Sequence, residues 1–480
     1  MKRPALHVAA LALVAAFGFV WLGRGLPQAA WLASDSASYI EFSPVRPHGY
    51  PAFLAAYWWI FADFAYLPAM QLGCYVAAVW LLAVAVARRT RSVVLALMTL
   101  LVTLWLTDTT SFPYVLSDSL YAALLVAGVA CFLSSAESGR TGALFAASLG
   151  IGAALTFRTI GLALLPGFLI AAFIPLQGRR RRLLPTAALT LLPLAGLYGA
   201  AAASQLTHNG RFALGSWGGM DILGKVPLLS RPVPHDSQAA HLNEIVDAMQ
   251  PARAKMARLD PLLEALAARQ YYEHLRWHVV RPALEESWPA WREADEYGRG
   301  RLAARVTVAY AAEDPIGLLR RTAIDLVGLW AMPRWLTESE HDRMQAGVNN
   351  IGGLPFLADA VPASDASSNA ALDYYKTVPD PVDPARVIAF RVVVIGFWLI
   401  SLGYAALLVA RPSTKLWQAA PDLLLILLAV HGVYLGTALM EGVHERYVMP
   451  TLPLLVAAPI LALGLAWPPR GRFRYRAPVA

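Results

Sequence analysis

Long apolar runs alternate with short polar ones along nearly the whole chain, and only once does a polar stretch grow to domain size. A helix needs roughly 17–25 apolar residues to cross about 30 Å of hydrocarbon. On that measure the pattern predicts spanning helices at about Ala5–Gly23, Tyr66–Ala87, Ser92–Leu106, Ser119–Ser135, Thr141–Phe157, Ile160–Gln177, Leu184–Ala203, Val387–Ala410, Pro421–Met440 and Val448–Trp467. The third and fifth are short, so they are expected to extend, to tilt, or to stop early at a polar cavity. Between the seventh and eighth lie residues 204–386, about 180 residues, enough for a small domain of their own. Within it, Leu262, Leu263, Leu266, Tyr271 and Leu275 recur near helical spacing. Asp314-Pro315 is a helix-start signal for an amphipathic stretch running to Trp330, expected to lie along the membrane surface with Trp335 nearby. Gly352–Pro384, rich in Pro, Ala, Ser and Asp, is expected to be a loop over the site.

Composition agrees with the hydropathy pattern. The 480 residues are 57% hydrophobic and 15% charged, with mean hydropathy +0.49; a soluble chain sits nearer 45–50% and about 25%. The net charge of +8 does not point to nucleic acid. Residues 204–386 hold 19 Lys/Arg against 23 Asp/Glu, a balance of 19 − 23 = −4, so the surplus lies in short clusters between apolar runs. Lys2/Arg3, Arg88/Arg89/Arg91, Arg140, Arg179–Arg182, Arg411/Lys415 and Arg470/Arg472/Arg474/Arg476 all fall on one side of the threading. Positive-inside bias assigns that side, with both termini, to the cytoplasm. Three regions follow: residues 1–203 with about seven spans, an extracytoplasmic and mainly helical 204–386, and 387–480 with about three spans and a basic tail. No small-residue cleavage site follows the first apolar run, which reads as an uncleaved helix. Cys74 and Cys131 lie inside apolar runs and offer no disulfide framework.

The same threading gathers Asp35, Arg46, His48, Asp108, Asp118, Arg158, His444, Glu445 and Arg446 at the outer membrane edge. Charge is costly toward the bilayer centre, so such a ring implies water or an ionic ligand. Arg158, at the tight turn between the fifth and sixth spans, and Arg446, with Tyr447 before the last span, suit bidentate contact to phosphate; each also reads as an interfacial anchor. Asp35 in Ser34-Asp35-Ser36-Ala37-Ser38-Tyr39 is a candidate general base, or simply the N-cap of a short helix. Asp118 offers the same choice before the fourth span, and Asp108 is a weaker candidate. His274 and His278 stand at i, i+4 without the glutamate of a zinc motif, so a solvated helix face suits them better. His431, inside the ninth span, reads as a hydrogen bond to a neighbouring helix.

Four segments resemble the GT-C superfamily of polyprenyl-phosphate-sugar-dependent glycosyltransferases, most nearly the bacterial relatives of protein O-mannosyltransferases and of the lipid A aminoarabinose transferase. They are Asp35 to Pro51, with an acid followed by Arg46-Pro47-x-x-Tyr50-Pro51; Ser117-Asp118-x-Leu120-Tyr121; Gly150 to Arg158; and Arg446-Tyr447-x-x-Pro450. The resemblance implies a GT-C-like, α-helical polytopic bundle of about ten spans in the inner (plasma) membrane, its site facing the periplasm or exterior. It implies inverting transfer from a lipid-linked sugar to a hydroxyl of an envelope glycan, lipid or protein. Asp35 and Asp118 would be catalytic, and Tyr39, Arg46, His48, Arg158, Arg446 and Tyr447 would bind substrate. Many relatives carry paired acids in the first loop, whereas Ser36 follows Asp35 here. No metal ligands are assigned, and a divalent cation would need Glu41, Asp108 or Asp118 as a second carboxylate. The rival readings are a transporter or flippase of lipid-linked glycans and an O-antigen ligase-like transferase. The first would be expected to show internal repeats, and none is visible.

Overall fold

The computed structural model describes residues 2–466 apart from residues 34, 139–140, 174–179, 217, 230, 234–239, 241, 260, 266–267, 269–274, 332–335, 351–380, 411–419 and 441–444. Among the described residues every regular element is a helix. The N-terminal portion runs through α1 (Lys2–Gly23), α2 (Ser36–Ile40), α3 (Gly49–Phe61), α4 (Leu67–Thr90), α5 (Val93–Leu106), α6 (Asp118–Ser138) and α7 (Thr141–Phe157). A 3-10 turn over Thr159–Leu164 leads into α8 (Leu165–Phe173), and then comes α9 (Arg180–Asn209). The middle of the chain includes α10 (Gly218–Leu223), α11 (Glu296–Glu313), α12 (Pro315–Ala331) and α13 (Glu338–Asn350). Three more long helices follow: α14 (Pro384–Ala410), α15 (Pro421–Met440) and α16 (Leu452–Ala466).

Seven of these, α1, α4, α6, α9, α14, α15 and α16 (the last with its preceding turn), are long and apolar enough to cross a membrane. The chain is therefore an α-helical, multi-pass membrane protein. The shorter apolar helices α5, α7 and α8 stand where the third, fifth and sixth runs were expected. With 14 residues, α5 rises roughly 21 Å, well short of the hydrocarbon thickness. It starts on Ser92, whose hydroxyl accepts from the Leu95 amide at 3.3 Å, and it stops at Thr107, where the backbone turns extended. A face of Val94, Met98, Leu101 and Trp105 stays exposed, as a lipid-facing stripe should.

Polar contacts at the two ends of the bundle support the order of the threading. At one end the Arg89 Nε lies 2.5 Å from the Asp422 carboxylate, tying the last turn of α4 to the first turn of α15. At the other, Arg446 reaches Asp35 across 411 positions of sequence, and Arg386 donates to the Thr107 carbonyl at 3.2 Å. Each contact joins helix ends that alternating spans bring to the same side. Between the ends, α6 and α7 pack backbone to backbone: a Cβ on Gly150 would meet the Gly128 Cα at 2.8 Å, so small residues are required there.

Residues between α9 and α14 have a hydrophobic core of their own, containing Met220, Leu223, Trp291, Val306 and Tyr310. Asp314 caps α12 through the Gly317 amide at 2.8 Å, as the Asp-Pro signal predicts. Its inward face carries charge beside apolar residues: Arg321 and Asp325 are buried along with Ile324 and Leu329, while Ile316 and Leu319 are exposed. Asp325 holds Lys225 at 2.9 Å and Arg321 at 2.6 Å, and Lys225 also donates to the Ala438 carbonyl in the last turn of α15. A cation at a helix C-terminus is stabilised by the helix dipole. This buried triad fixes the middle portion to the membrane bundle. The expected loop at Gly352–Pro384 lies largely outside the described residues, as do Leu266, Tyr271, Trp335 and half of the residues in the basic clusters.

Asp325→Asn takes one carboxylate from each of two buried cations, Lys225 and Arg321, and is expected to cost about 3–5 kcal/mol. Arg211→Gln breaks the exposed Arg211–Asp295 pair and should cost under about 1 kcal/mol. Thermal unfolding of both variants in detergent checks the contrast.

Candidate active site

The first loop is built from both of its flanks. The Trp31 amide donates to the Pro113 carbonyl at 2.7 Å, and the Val115 amide returns to Trp31 at 3.0 Å. The Ala30 amide reaches Phe64 at 3.1 Å. The bonds to Pro113 and from Val115 seat the loop on the segment between α5 and α6, and the bond to Phe64 ties the loop's start to the approach to α4. Ser36 Oγ accepts from the Ala33 amide and donates to the Val115 carbonyl. Gln71, fully buried in α4, donates to the carbonyls of Phe112 and Tyr114 at 3.0 Å each and accepts from the Tyr50 hydroxyl at 3.3 Å. At the start of α3, a Cβ on Gly49 would collide with the side chain and carbonyl of Thr156, so only glycine lets this loop close on the end of α7.

Asp35 stands at the N-cap position of α2, yet its side chain makes no capping bond. Its carboxylate is shared between two arginines instead: Arg46 Nη2 at 2.8 Å and Arg446 Nη2 at 3.1 Å. Burial pushes the carboxyl group's pKa upward, but Arg46, Arg446 and the nearby Arg158 outweigh it and hold the group below its ordinary value. Asp35 is therefore ionised at neutral pH. Arg46 is steadied by Ser38 Oγ at 3.0 Å and by the face of Tyr39, 4.9 Å from its ring centre. The Tyr39 hydroxyl bonds to Ser117 Oγ at 3.0 Å.

Arg158 and Asp118 form a buried ion pair next to this clamp. Asp118 is the first residue of α6, where a negative charge suits the helix dipole, and Arg158 takes an extended backbone as α7 ends. The guanidinium groups of Arg46, Arg158 and Arg446 thus meet the carboxylates of Asp35 and Asp118. A cavity of about 70 Å³ adjoins them, lined by Tyr75, Thr107, Asp108, Ser111, Asp118, Ser119 and Arg446. Asp108 in its wall bonds the Thr110 hydroxyl at 2.7 Å and its amide at 3.2 Å. The cavity begins where the short α5 gives out, the outcome expected of a span that stops early.

Four of the expected substrate ligands, Tyr39, Arg46, Arg158 and Arg446, therefore meet both expected catalytic acids. His48 does not join them. Its buried ring faces Ser204 Oγ at 2.9 Å and the Phe42 carbonyl at 3.1 Å, packing edge-on to Phe42 and His208. It fastens the end of α9 to the first loop, and no charged group of the cluster is among its partners. Burial lowers its pKa, favouring the neutral ring. The side chain of Tyr447, and His444 and His274 entirely, lie outside the described residues, as does the side chain of His278. His431 bonds to Ser401 Oγ at 3.1 Å, the cross-helix contact expected of it. Among the described residues no three His, Cys, Asp or Glu side chains gather closely enough to hold a metal ion. Asp35 and Asp118 are each engaged by arginine, so the cluster does not fit a divalent cation held by paired acids.

No site role follows from the sequence for Ser38, Gln71, Tyr75, Thr107, Ser111 or Ser119, and Ser117 enters only as part of a motif. One signal was available: the run from Thr107 to Ser119 holds an unusual density of hydroxyls and acids between two apolar helices. No protein-family model, characterised protein or solved structure matches the chain.

Removing Arg158 alone should strand the Asp118 charge in a buried site and cost about 3–5 kcal/mol. If the pair acts as a unit, Arg158→Gln combined with Asp118→Asn will recover much of that loss. A double-mutant cycle on thermal unfolding measures the coupling.

Proposed function

We propose that the chain is a membrane glycosyltransferase that moves a sugar from a polyprenyl-phosphate donor to an acceptor hydroxyl, with Asp35 as general base. The observation that carries this reading is the convergence of Asp35, Arg46, Arg158 and Arg446, drawn from the first loop, the α7–α8 turn and the approach to α16. The likeness to GT-C transferases in four sequence segments supports it, since these residues come from three of those segments and Asp118 from the fourth.

In this mechanism the acceptor oxygen attacks the anomeric carbon as the bond from that carbon to the phosphate oxygen breaks. The phosphate leaves with the bonding electron pair, the acceptor proton passes to Asp35, and the configuration inverts. Arg46, Arg158 and Arg446 stabilise the charge that gathers on the departing phosphate, which is the larger catalytic contribution. A carboxylate held by two cations is a weak base. An arriving phosphate that draws Arg46 and Arg446 toward itself would raise the proton affinity of Asp35, so donor binding itself would prime the base. The 70 Å³ cavity has room for a few waters but not a sugar; loosening of the Asp35–Arg446 contact on donor arrival would enlarge it. We further propose ten spans in an inner membrane, with α5, α7 and α8 crossing in a bundle whose basic loops face the cytoplasm and whose cluster faces the exterior. Acceptor choice would then rest with residues 204–386.

Incubating membranes with a panel of radiolabelled polyprenyl-phosphate sugars tests the activity. Asp35→Asn is expected to lower transfer by about 10²–10⁴-fold while the protein still folds and inserts. Wild-type transfer in that variant would remove Asp35 from the mechanism, and no label reaching any product would favour a transporter. The rate should also depend on pH in a specified direction. Because the Asp35 pKa is depressed in the free chain, its base form persists down to acidic pH, and the acid limb of kcat/KM lies below the ordinary carboxylate value of 3.8. Arg46→Gln removes one stabilising cation, so its acid limb should move to higher pH. A limb that stays fixed would mean that another group titrates.

A further inference from the structure

A second recess lies away from the charged cluster, where the end of α12, the helix α13 and the first turns of α14 meet. It holds about 220 Å³, and its walls are mostly apolar: Leu262, Trp330, Leu336, Met344, Phe390 and Val394. Ile395 also lines it and belongs to the exposed stripe Ile388, Val392, Ile395 and Leu399 along α14. Because α14 is long and apolar enough to span the membrane, that stripe faces hydrocarbon, and the recess opens onto the same face. Water gains few partners between such walls, and an empty apolar recess forfeits dispersion contacts. The medium at its mouth supplies alkyl chains.

Its rim carries charge at one end only. Glu340, Arg343 and Arg391 line it there, a balance of two cations against one anion. Arg391 gives Nη2 to both Glu340 oxygens at 2.8 Å, and Glu340 is further engaged by the Thr337 amide and hydroxyl. The Glu340 position is thereby fixed, and its pKa is lowered despite burial by these bonds and by Arg391. Arg391 keeps Nη1 and Nε for another acceptor, and the exposed Arg343 stands one helical turn from Glu340 on α13. Arg391 is also only seven residues into α14, roughly 10 Å of rise from its first residue, near the depth at which a headgroup phosphate meets an alkyl chain. Basic pockets of this kind between membrane helices suit anionic headgroups.

We propose that this recess binds one anionic phospholipid of the surrounding bilayer, an acyl chain lying along Phe390, Val394 and Ile395 and its phosphate held by Arg343 and Arg391. The site depends only on the membrane character of α14 and is independent of the transferase reading. It pins α13 and the end of α12 to α14, joining the middle portion of the chain to the membrane through a lipid.

Native mass spectrometry of the delipidated full chain in detergent, titrated with phosphatidylglycerol and with phosphatidylcholine of equal chain length, tests this. One phosphatidylglycerol should bind in preference to phosphatidylcholine, and Arg343→Gln and Arg391→Gln should each weaken it by about fivefold. Val394→Trp should weaken both lipids by filling the recess. Asp35→Asn should bind like wild type, which separates this site from the proposed chemistry. Equal affinity for the two lipids, or unchanged binding in both arginine variants, would overturn the proposal, and these rim variants decide it even if Val394→Trp does not fold. Displacement of phosphatidylglycerol by polyprenyl phosphate at lower concentration would also overturn it, assigning the recess to the donor lipid.

Discussion

One carboxylate shared between two arginines ties one end of this helix bundle together. Asp35 follows the first spanning helix, Arg46 closes the first loop, and Arg446 precedes the last helix. A partly exposed ion pair contributes little to stability on its own. Here its value is geometric, because it makes the beginning and the end of the chain neighbours. Arg89 and Asp422 do the same at the opposite end of the bundle. With both ends tied, the helices between them have few registers available, and the hydroxyls of the segment between α5 and α6 are presented to the clamp rather than to lipid.

The charge arrangement contains a conflict that bears on chemistry. Cations that suit a departing phosphate also hold Asp35 ionised and weaken it as a proton acceptor. A site left in this state would bind anions well and abstract protons poorly. The conflict is relieved only if the anion and the carboxylate compete for the same guanidinium groups, and the contacts of Arg46 and Arg446 with both Asp35 oxygens have that form. Arg158 differs, since its buried partner Asp118 keeps it aimed whether or not a ligand is present.

Much of this was legible in the sequence because hydropathy is a one-dimensional signal. The seven long helices and the three short ones fall where apolar runs predicted them, and the acids and arginines at their ends could be gathered by counting alternations. What could not be read is where a side chain points. His48 sits two residues from Arg46 but engages Ser204 and Phe42, because the start of α3 rotates it toward α9. The helix α3 is not among the elements the hydropathy pattern predicts: it has aromatic residues on both its buried and its exposed sides, so no amphipathic period announces it. Nothing in the sequence sets Gln71 apart from the rest of its apolar run, and its role as anchor of the Phe112–Tyr114 backbone appears only when distant segments are brought together. The charged inner face of α12 likewise depends on Lys225 arriving from a hundred residues away.

The brevity of α5 carries over to the lipid around it. Its outward stripe of Val94, Met98, Leu101 and Trp105 covers roughly 21 Å of a hydrocarbon layer about 30 Å thick. Bilayers next to a short apolar stretch pinch inward rather than leave polar backbone in oil. If α5 crosses the bilayer as proposed, the leaflet beside Thr107 and Asp108 would be drawn down toward the cavity, and water would follow it. A carrier lipid of the kind proposed would then find the polar surface dipping to meet its headgroup, a notch in the membrane itself rather than a tunnel in the protein.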